Sequence, residues 1–337
     1  MKAWILENQK NIEERPLRLT DIPLPQPGSR EIRIKVQACG ICRTDIHIAE
    51  GDLPLKKNPL VLGHEIVGTV EKTGEAVQYF KLGDPVGISW LHSTCGTCEF
   101  CREGRENYCP DFKCTGWDAD GGFAEYVTIH EDFALSLKGI TMEPEDLAPL
   151  LCPGVAGYCA LKLTGAKKGE ALGLFGFGPT AFYVLKAADF LGIKVYVSTR
   201  SSAHQQAARN NGALWAGNIT EGKCPVLLDS AILFPPAGPL VEPSLTPIKK
   251  GGILVLAPVS MSPIQIQNYS DNLWGKDIRT LYNVNKKESE EFLTIAGRTD
   301  MRMDRRVFPF DKLQDAMIQV KKGEIKEPNA VISLNHS

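Results

Sequence analysis

Ala171-Leu-Gly-Leu-Phe-Gly-Phe-Gly178 is the stretch on which the fold of this 337-residue chain turns. Ala171–Phe175 reads as a buried strand, and the glycines that follow read as a tight turn. Helical spacing then runs from Ala181 to Leu191, and Lys194-Val-Tyr-Val-Ser198 alternates as the next strand. Strand, glycine turn, helix and strand in that order predict a doubly wound α/β unit with a parallel sheet and right-handed crossovers. Val226-Leu-Leu228 and Gly252-Ile-Leu-Val-Leu256 are expected to add strands to it. The segment before it is β-rich, with short apolar stretches such as Ile32–Val36 and Ile66–Val70 between Gly, Pro and Asp turn signals. After about Lys286 a helix over Asp311–Lys321 and a last strand over Ala330–Leu334 are expected. A chain of this length favours two domains.

Composition narrows the function classes. Hydrophobic residues at 43% and charged residues at 23% are those of a globular protein. A formal net charge of −2 gives no general pull toward nucleic acid or an anionic membrane. No apolar run approaches the roughly 20 residues that span a bilayer. Met1–Glu7 becomes charged too early for a secretory signal, so the expected location is the cytoplasm.

Ten cysteines therefore require another account than a disulfide framework. Cys95-x2-Cys98-x2-Cys101-x7-Cys109 places four thiols where they can wrap one tetrahedral zinc, a closed shell with a structural role. A redox or disulfide cluster and a zinc-ribbon nucleic-acid module are the alternatives. The flanking Glu99, Glu103, Glu106 and Asp111 lack the basic surface the latter needs. A second set of donor types, Cys42, His64 and Cys152, has the composition of a catalytic zinc site with an open position. Spacing alone does not bring these three together, and Cys152 by itself in an apolar stretch reads more often as a buried core residue.

Gly63-His-Glu-x2-Gly68-x5-Gly74-x2-Val77, with Gly40-Ile-Cys-Arg-Thr-Asp-Ile-His47 before it and the four-cysteine segment after it, resembles the zinc-dependent medium-chain alcohol dehydrogenase superfamily over essentially the whole chain. The resemblance implies a GroES-like, β-rich catalytic domain from residues 1–148 and 286–337. It also implies that this domain is built around an inserted Rossmann cofactor domain, residues 149–285, with the active site in the cleft between them. Two zinc ions per chain follow: a structural one on Cys95, Cys98, Cys101 and Cys109, and a catalytic one on Cys42, His64 and Cys152. Cys42 is chosen over Cys39 because it precedes Arg-Thr-Asp. Cys39, Cys114, Cys159 and Cys224 are left as packing or surface thiols. Glu65 resembles the glutamate that approaches the metal during ligand exchange, and Asp45 the carboxylate that orients the ligand imidazole. The implied chemistry is hydride transfer from a zinc-bound alkoxide, with Thr44 and His47 relaying the proton. Arg43 resembles a residue that pairs with the cofactor pyrophosphate.

In the dinucleotide turn, Gly173 and Gly178 are assigned as first and third glycines, Phe175 stands where the second belongs, and Gly176 and Phe177 complete the turn. Val197-Ser-Thr-Arg-Ser201 has no acidic residue to grip a ribose 2′-hydroxyl. Ser198, Thr199 and Arg200 suit a 2′-phosphate instead, which favours NADP over NAD. Trp90, Trp117 and Leu53 are candidate pocket walls, pointing to a primary or aromatic alcohol and its aldehyde as small-molecule substrate. A polyol dehydrogenase, a zinc-free reductase and a non-catalytic relative are the rival readings. A homodimer or homotetramer is the assembly usual for the family.

Overall fold

The computed structural model describes residues 1–218 and 224–334. It divides into two compact units. One comprises Met1–Cys152, Asn283–Leu293 and Arg302–Ser337, and the other Pro153–Tyr282 and Thr294–Met301. The first division falls after Cys152 rather than after residue 148, so Cys152 stays with the β-rich unit.

The β-rich unit is organised by the strand Glu31–Gly40. Ile32, Ile34, Val36 and Ala38 alternate into the core and are all buried. Glu65–Thr73, Tyr126–His130 and Asn329–Ser333 each pair with it antiparallel. The last of these comes from the far end of the chain. All five of its residues are buried, and Val331–Ser333 lie opposite Gly40–Ala38, which ties both ends of the sequence into one seven-stranded sheet. Each large aliphatic side chain so buried contributes roughly 1.5–3 kcal/mol.

Glu131 fastens a loop to this sheet. Its buried carboxylate accepts hydrogen bonds from the backbone N–H groups of Gln78 and Tyr79 at 2.7 and 2.8 Å and from the Arg30 guanidinium. Burial opposes ionisation, but the two N–H groups and Arg30 outweigh it, so the carboxyl titrates below its ordinary value. The resulting stability is present above the ordinary glutamate pKa of about 4.3 and is lost as pH falls through the depressed folded value. Glu131→Gln is expected to cost about 1.5–3 kcal/mol at neutral pH, since it weakens bonds to a charged acceptor. Thermal melts at pH 7 and pH 3 check this: the gap between variant and wild type should narrow at the lower pH.

The other unit is a six-stranded, all-parallel sheet. Its spatial order is Trp215–Gly217, Lys194–Ser198, Ala171–Phe175, Leu228–Leu233, Ile248–Leu256 and Asp277–Thr280. In chain order this is 3-2-1-4-5-6, the doubly wound arrangement that binds dinucleotides at the carboxyl ends of its strands. The helix after the first strand runs Pro179–Phe190, two residues earlier than its apolar pattern begins, because Pro179 occupies the first helical position. The fourth strand begins at Leu228; Val226 and Leu227 are exposed and precede it. The tail helix is Leu313–Lys322, and the last strand is Asn329–Ser333. No single helix among the described residues is long and apolar enough to cross a membrane.

Candidate metal centres and active site

The four-cysteine segment folds as a compact lobe. Glu99–Arg102 forms one helical turn and Glu106–Tyr108 a 3-10 turn, and between them they return Cys109 to Cys95. The Sγ atoms of Cys95 and Cys101 are 3.9 Å apart, those of Cys98 and Cys101 3.5 Å, and those of Cys109 and Cys95 3.5 Å. A tetrahedral zinc with bonds of about 2.3 Å separates its sulfurs by about 3.8 Å, so the residues fit that ion. None of the ten cysteines is joined in a disulfide bond.

A second donor cluster brings together Cys42, His64, Glu65 and Cys152, whose ligating atoms lie within 4.8 Å of one another. Three local structures deliver them. Cys42 is the residue on which the helix Arg43–Glu50 starts, His64 and Glu65 open the strand Glu65–Thr73, and Cys152 ends the 3-10 turn Ala148–Leu151. Asp45 ties two of these together. One of its carboxylate oxygens accepts from the Cys42 N–H at 2.8 Å, which also caps the helix. The other accepts from the Gly63 N–H and from His64 Nδ1, both at 3.2 Å, leaving Nε2 of His64 for a metal.

The electrostatics of the cluster suit a cation. The Cys42 and Cys152 sulfurs are 3.9 Å apart. The Cys152 thiol, working against burial and helped by His64, holds Cys42 well below the ordinary thiol pKa. Cys42 and burial in turn push Cys152 well above it. Two thiols that ionise at each other's expense can both be thiolates only when a cation binds them, which is what zinc supplies. Burial and then the Cys42 charge raise Glu65 as well. Gly40, directly across the sheet, makes room for that carboxylate: a Cβ there would stand 1.8 Å from Glu65 Oε2. Cys39 lies elsewhere, buried against Gly63 and Gly122 in the core.

Around this centre, Thr44 Oγ1 is 3.6 Å from the Cys42 sulfur. His47 is exposed one helical turn further on, and Arg43 is exposed with no hydrogen bond or ion pair to any described residue. Trp90 meets the His64 ring edge-on, with centroids 4.9 Å apart, and Trp117 stacks on Trp90 at 6.1 Å. Trp117 is anchored by its indole N–H to the Pro54 carbonyl. Lys56 Nζ sits 3.6 Å above its ring and pairs with Asp118. Leu53 is half-buried and packs on the same core. Gly40 opens the motif Gly40–His47, but nothing in the motif shows that it makes room for Glu65, and Lys56 lies in no motif. Both roles become visible only when strands and loops are in place.

The dinucleotide turn requires a correction of register. Gly173 is inside the strand, where a Cβ would stand 2.5 Å from the Leu228 side chain, so its lack of a side chain serves sheet packing. Phe175 is the strand's last residue, and its buried ring belongs to the core with Leu228 and Leu233. It does not block the turn. The turn is Gly176-x-Gly178-x-x-Ala181. Gly176 has φ +92°, a conformation glycine favours, Phe177 is buried, and Gly178 caps the helix. A Cβ at Gly178 would meet nothing within 4 Å, an open cradle beside a helix N-terminus, and Ala181 is the small buried residue at the third position. Ser198 ends the neighbouring strand and Thr199 follows it. The Ser198 carbonyl accepts from the Gly176 N–H, and Arg200 is exposed with no partner among the described residues.

The fold thus combines a β-rich unit that carries two metal-donor clusters with a doubly wound unit of the dinucleotide-binding class. Residues 28–139 match the family model described as the alcohol dehydrogenase GroES-like domain. The chain is 38% identical over 331 residues to a protein of Mycobacterium tuberculosis described as "Probable alcohol dehydrogenase AdhA", covering 96% of this chain and 95% of that one. It is 32% identical to a protein of Populus deltoides described as "Probable cinnamyl alcohol dehydrogenase", covering 90% and 88%. A solved cinnamyl alcohol dehydrogenase, SbCAD4 from Sorghum bicolor, superimposes with a TM-score of 0.85 at 27% identity, covering 100% of this chain and 98% of that one. The chain belongs to the zinc-dependent medium-chain alcohol dehydrogenase superfamily. Its reaction class is alcohol oxidoreduction with a nicotinamide cofactor.

Proposed function

We propose that the protein interconverts primary or aromatic alcohols and their aldehydes, with NADP preferred over NAD and two zinc ions per chain. The carrying observation is the convergence of Cys42, His64 and Cys152 beside the edge-on Trp90. A zinc ion held by Cys42, His64 and Cys152 supplies Lewis-acid polarisation of the substrate oxygen. Trp90 and Trp117 offer a flat apolar wall that suits an aryl or allylic group and leaves a polyol's hydroxyls unsatisfied. The cinnamyl alcohol dehydrogenases among the relatives support the same substrate class.

Thr44 takes the alcohol proton and passes it toward His47, whose exposure lets it deliver the proton to solvent. Asp45 keeps His64 in the tautomer that presents Nε2. Glu65, buried beside the thiolates, is placed to take part in ligand exchange. At the cofactor, Gly176 and Gly178 receive the pyrophosphate. Ser198, Thr199 and Arg200 receive a 2′-phosphate, since no carboxylate competes there.

The test is a panel of cinnamyl, benzyl, short primary and polyol substrates, each with NADP+ and NAD+. Aromatic and primary alcohols should lead, with the higher kcat/KM on NADP+. Preference for a polyol would overturn the substrate class, and preference for NAD+ the cofactor assignment. Gly178→Val is expected to raise the Kd for NADPH about tenfold or more, at about 1.4 kcal/mol per decade. The side chain would fill the cradle without straining the fold, so melting should not change, and fluorescence titration beside a thermal melt checks both.

Self-association completes the reading. Among the described residues the strand Asp277–Thr280 pairs on one side only, and Val259, Tyr269 and Trp274 are exposed near it in sequence. An open sheet edge with exposed aromatics is a surface that proteins ordinarily cover. Analytical ultracentrifugation should give a dimer or tetramer mass, and a monomer at micromolar concentration would refute this.

A further inference from the structure

We propose that Asp52 is the positioning residue of His47: its carboxylate holds the imidazole Nδ1–H, so that Nε2 is the nitrogen that exchanges the relayed proton. His47 Nδ1 and Asp52 Oδ2 are 2.7 Å apart. An ionised carboxylate only accepts, so the proton of this bond resides on Nδ1 and the free nitrogen is Nε2. The arrangement follows the logic by which a buried aspartate fixes the tautomer of a general-base histidine in serine hydrolases. Here the pair is open to water, with side chains 52% and 64% exposed, as the last station of a proton path must be.

The pairing is built by the backbone. Residues five apart do not share a helix face, so a continuing helix would not bring these side chains together. The helix Arg43–Glu50 instead stops at Gly51, which has φ +94°. The N–H groups of both Gly51 and Leu53 then bond to the His47 carbonyl, at 3.2 and 3.3 Å, folding the chain back over the last turn. Gln9 clips the fold from outside, its amide donating to the Ile48 carbonyl at 2.7 Å and to the Leu53 carbonyl at 2.6 Å. The neighbouring acid, Glu50, has its own partner in Lys321 at 2.7 Å, which leaves Asp52 to His47.

This inference rests on the relay assigned to Thr44 and His47, and the experiment separates the two. The holoenzyme carrying 15N-labelled histidine is compared with Asp52→Ala, His47→Gln and the double variant. Imidazole 15N shifts report the tautomer, and an indicator dye reports proton release in a single turnover of alcohol oxidation. We expect Nδ1–H at His47 in the wild type and its loss in Asp52→Ala. Proton release should fall about tenfold or more in Asp52→Ala, within the range for removing a residue that orients a functional histidine. The double variant should be no slower than His47→Gln, because Asp52 acts only through His47. If His47→Gln slows release but Asp52→Ala changes neither rate nor tautomer, the positioning role is overturned and the relay stands. If His47→Gln leaves release unchanged, the relay fails and the role of Asp52 fails with it.

Discussion

His64→Ala is expected to lower kcat/KM for alcohol oxidation by about a thousandfold or more while the protein remains folded. The removed imidazole is one of three donors that would hold the catalytic zinc, and Lewis-acid polarisation is worth several kcal/mol of transition-state stabilisation. About 4 kcal/mol is a thousandfold in rate. Folding should survive, because Asp45 keeps its bonds to the Cys42 and Gly63 N–H groups when the ring is gone. Metal analysis should show zinc falling from two ions per chain to one. Retention of more than a tenth of the activity, or of both ions, would sink the assignment of His64. Cys42→Ser should behave alike.

Cys98→Ser acts on stability instead. It opens a closed four-sulfur shell, and in metal-stabilised lobes the binding free energy is part of the folding free energy. The lobe from Cys95 to Cys109 is built from one short helix and one 3-10 turn, with side-chain contacts such as Phe100 with Tyr108 and Arg105. We expect loss of one zinc and a fall in Tm on the order of 10 °C, from a few kcal/mol at about 2–4 °C each. Cys224→Ser, a thiol outside both clusters, should change neither quantity. Unaltered zinc content and melting in Cys98→Ser would show that the four thiols do not form a structural centre. The two variants have opposite signatures, one kinetic and one thermal, which keeps the two centres distinguishable.

Legibility in the sequence followed the range of the interactions. The four-cysteine lobe could be read outright because its donors lie within fifteen residues, and short loops between thiols leave few ways to converge. The first two strands of the parallel sheet and the helix between them were legible because each carries its own period, whereas the short edge strands Trp215–Gly217 and Asp277–Thr280 carry no such signal. Register in the glycine turn was not legible, since spacing cannot say where a strand ends. Gly173 and Gly176 look alike in sequence, and only the packing of Gly173 against Leu228 assigns one to the sheet and the other to the turn.

Local chemistry, then, is what the amino-acid sequence determined by itself: thiol spacing, apolar periodicity, glycine and proline at turns, and motifs sufficient to name a superfamily. Tertiary structure decided how distant groups meet, including the donors Cys42, His64 and Cys152 that only the family resemblance had joined. Cys152 reaches Cys42 across more than a hundred residues, Trp117 stacks on Trp90, Glu65 lies over Gly40, and Gly51 turns Asp52 back onto His47. The physical reason is that these contacts depend on strand register and backbone reversal. Both are set cooperatively by the whole buried core, and no short window of sequence encodes either.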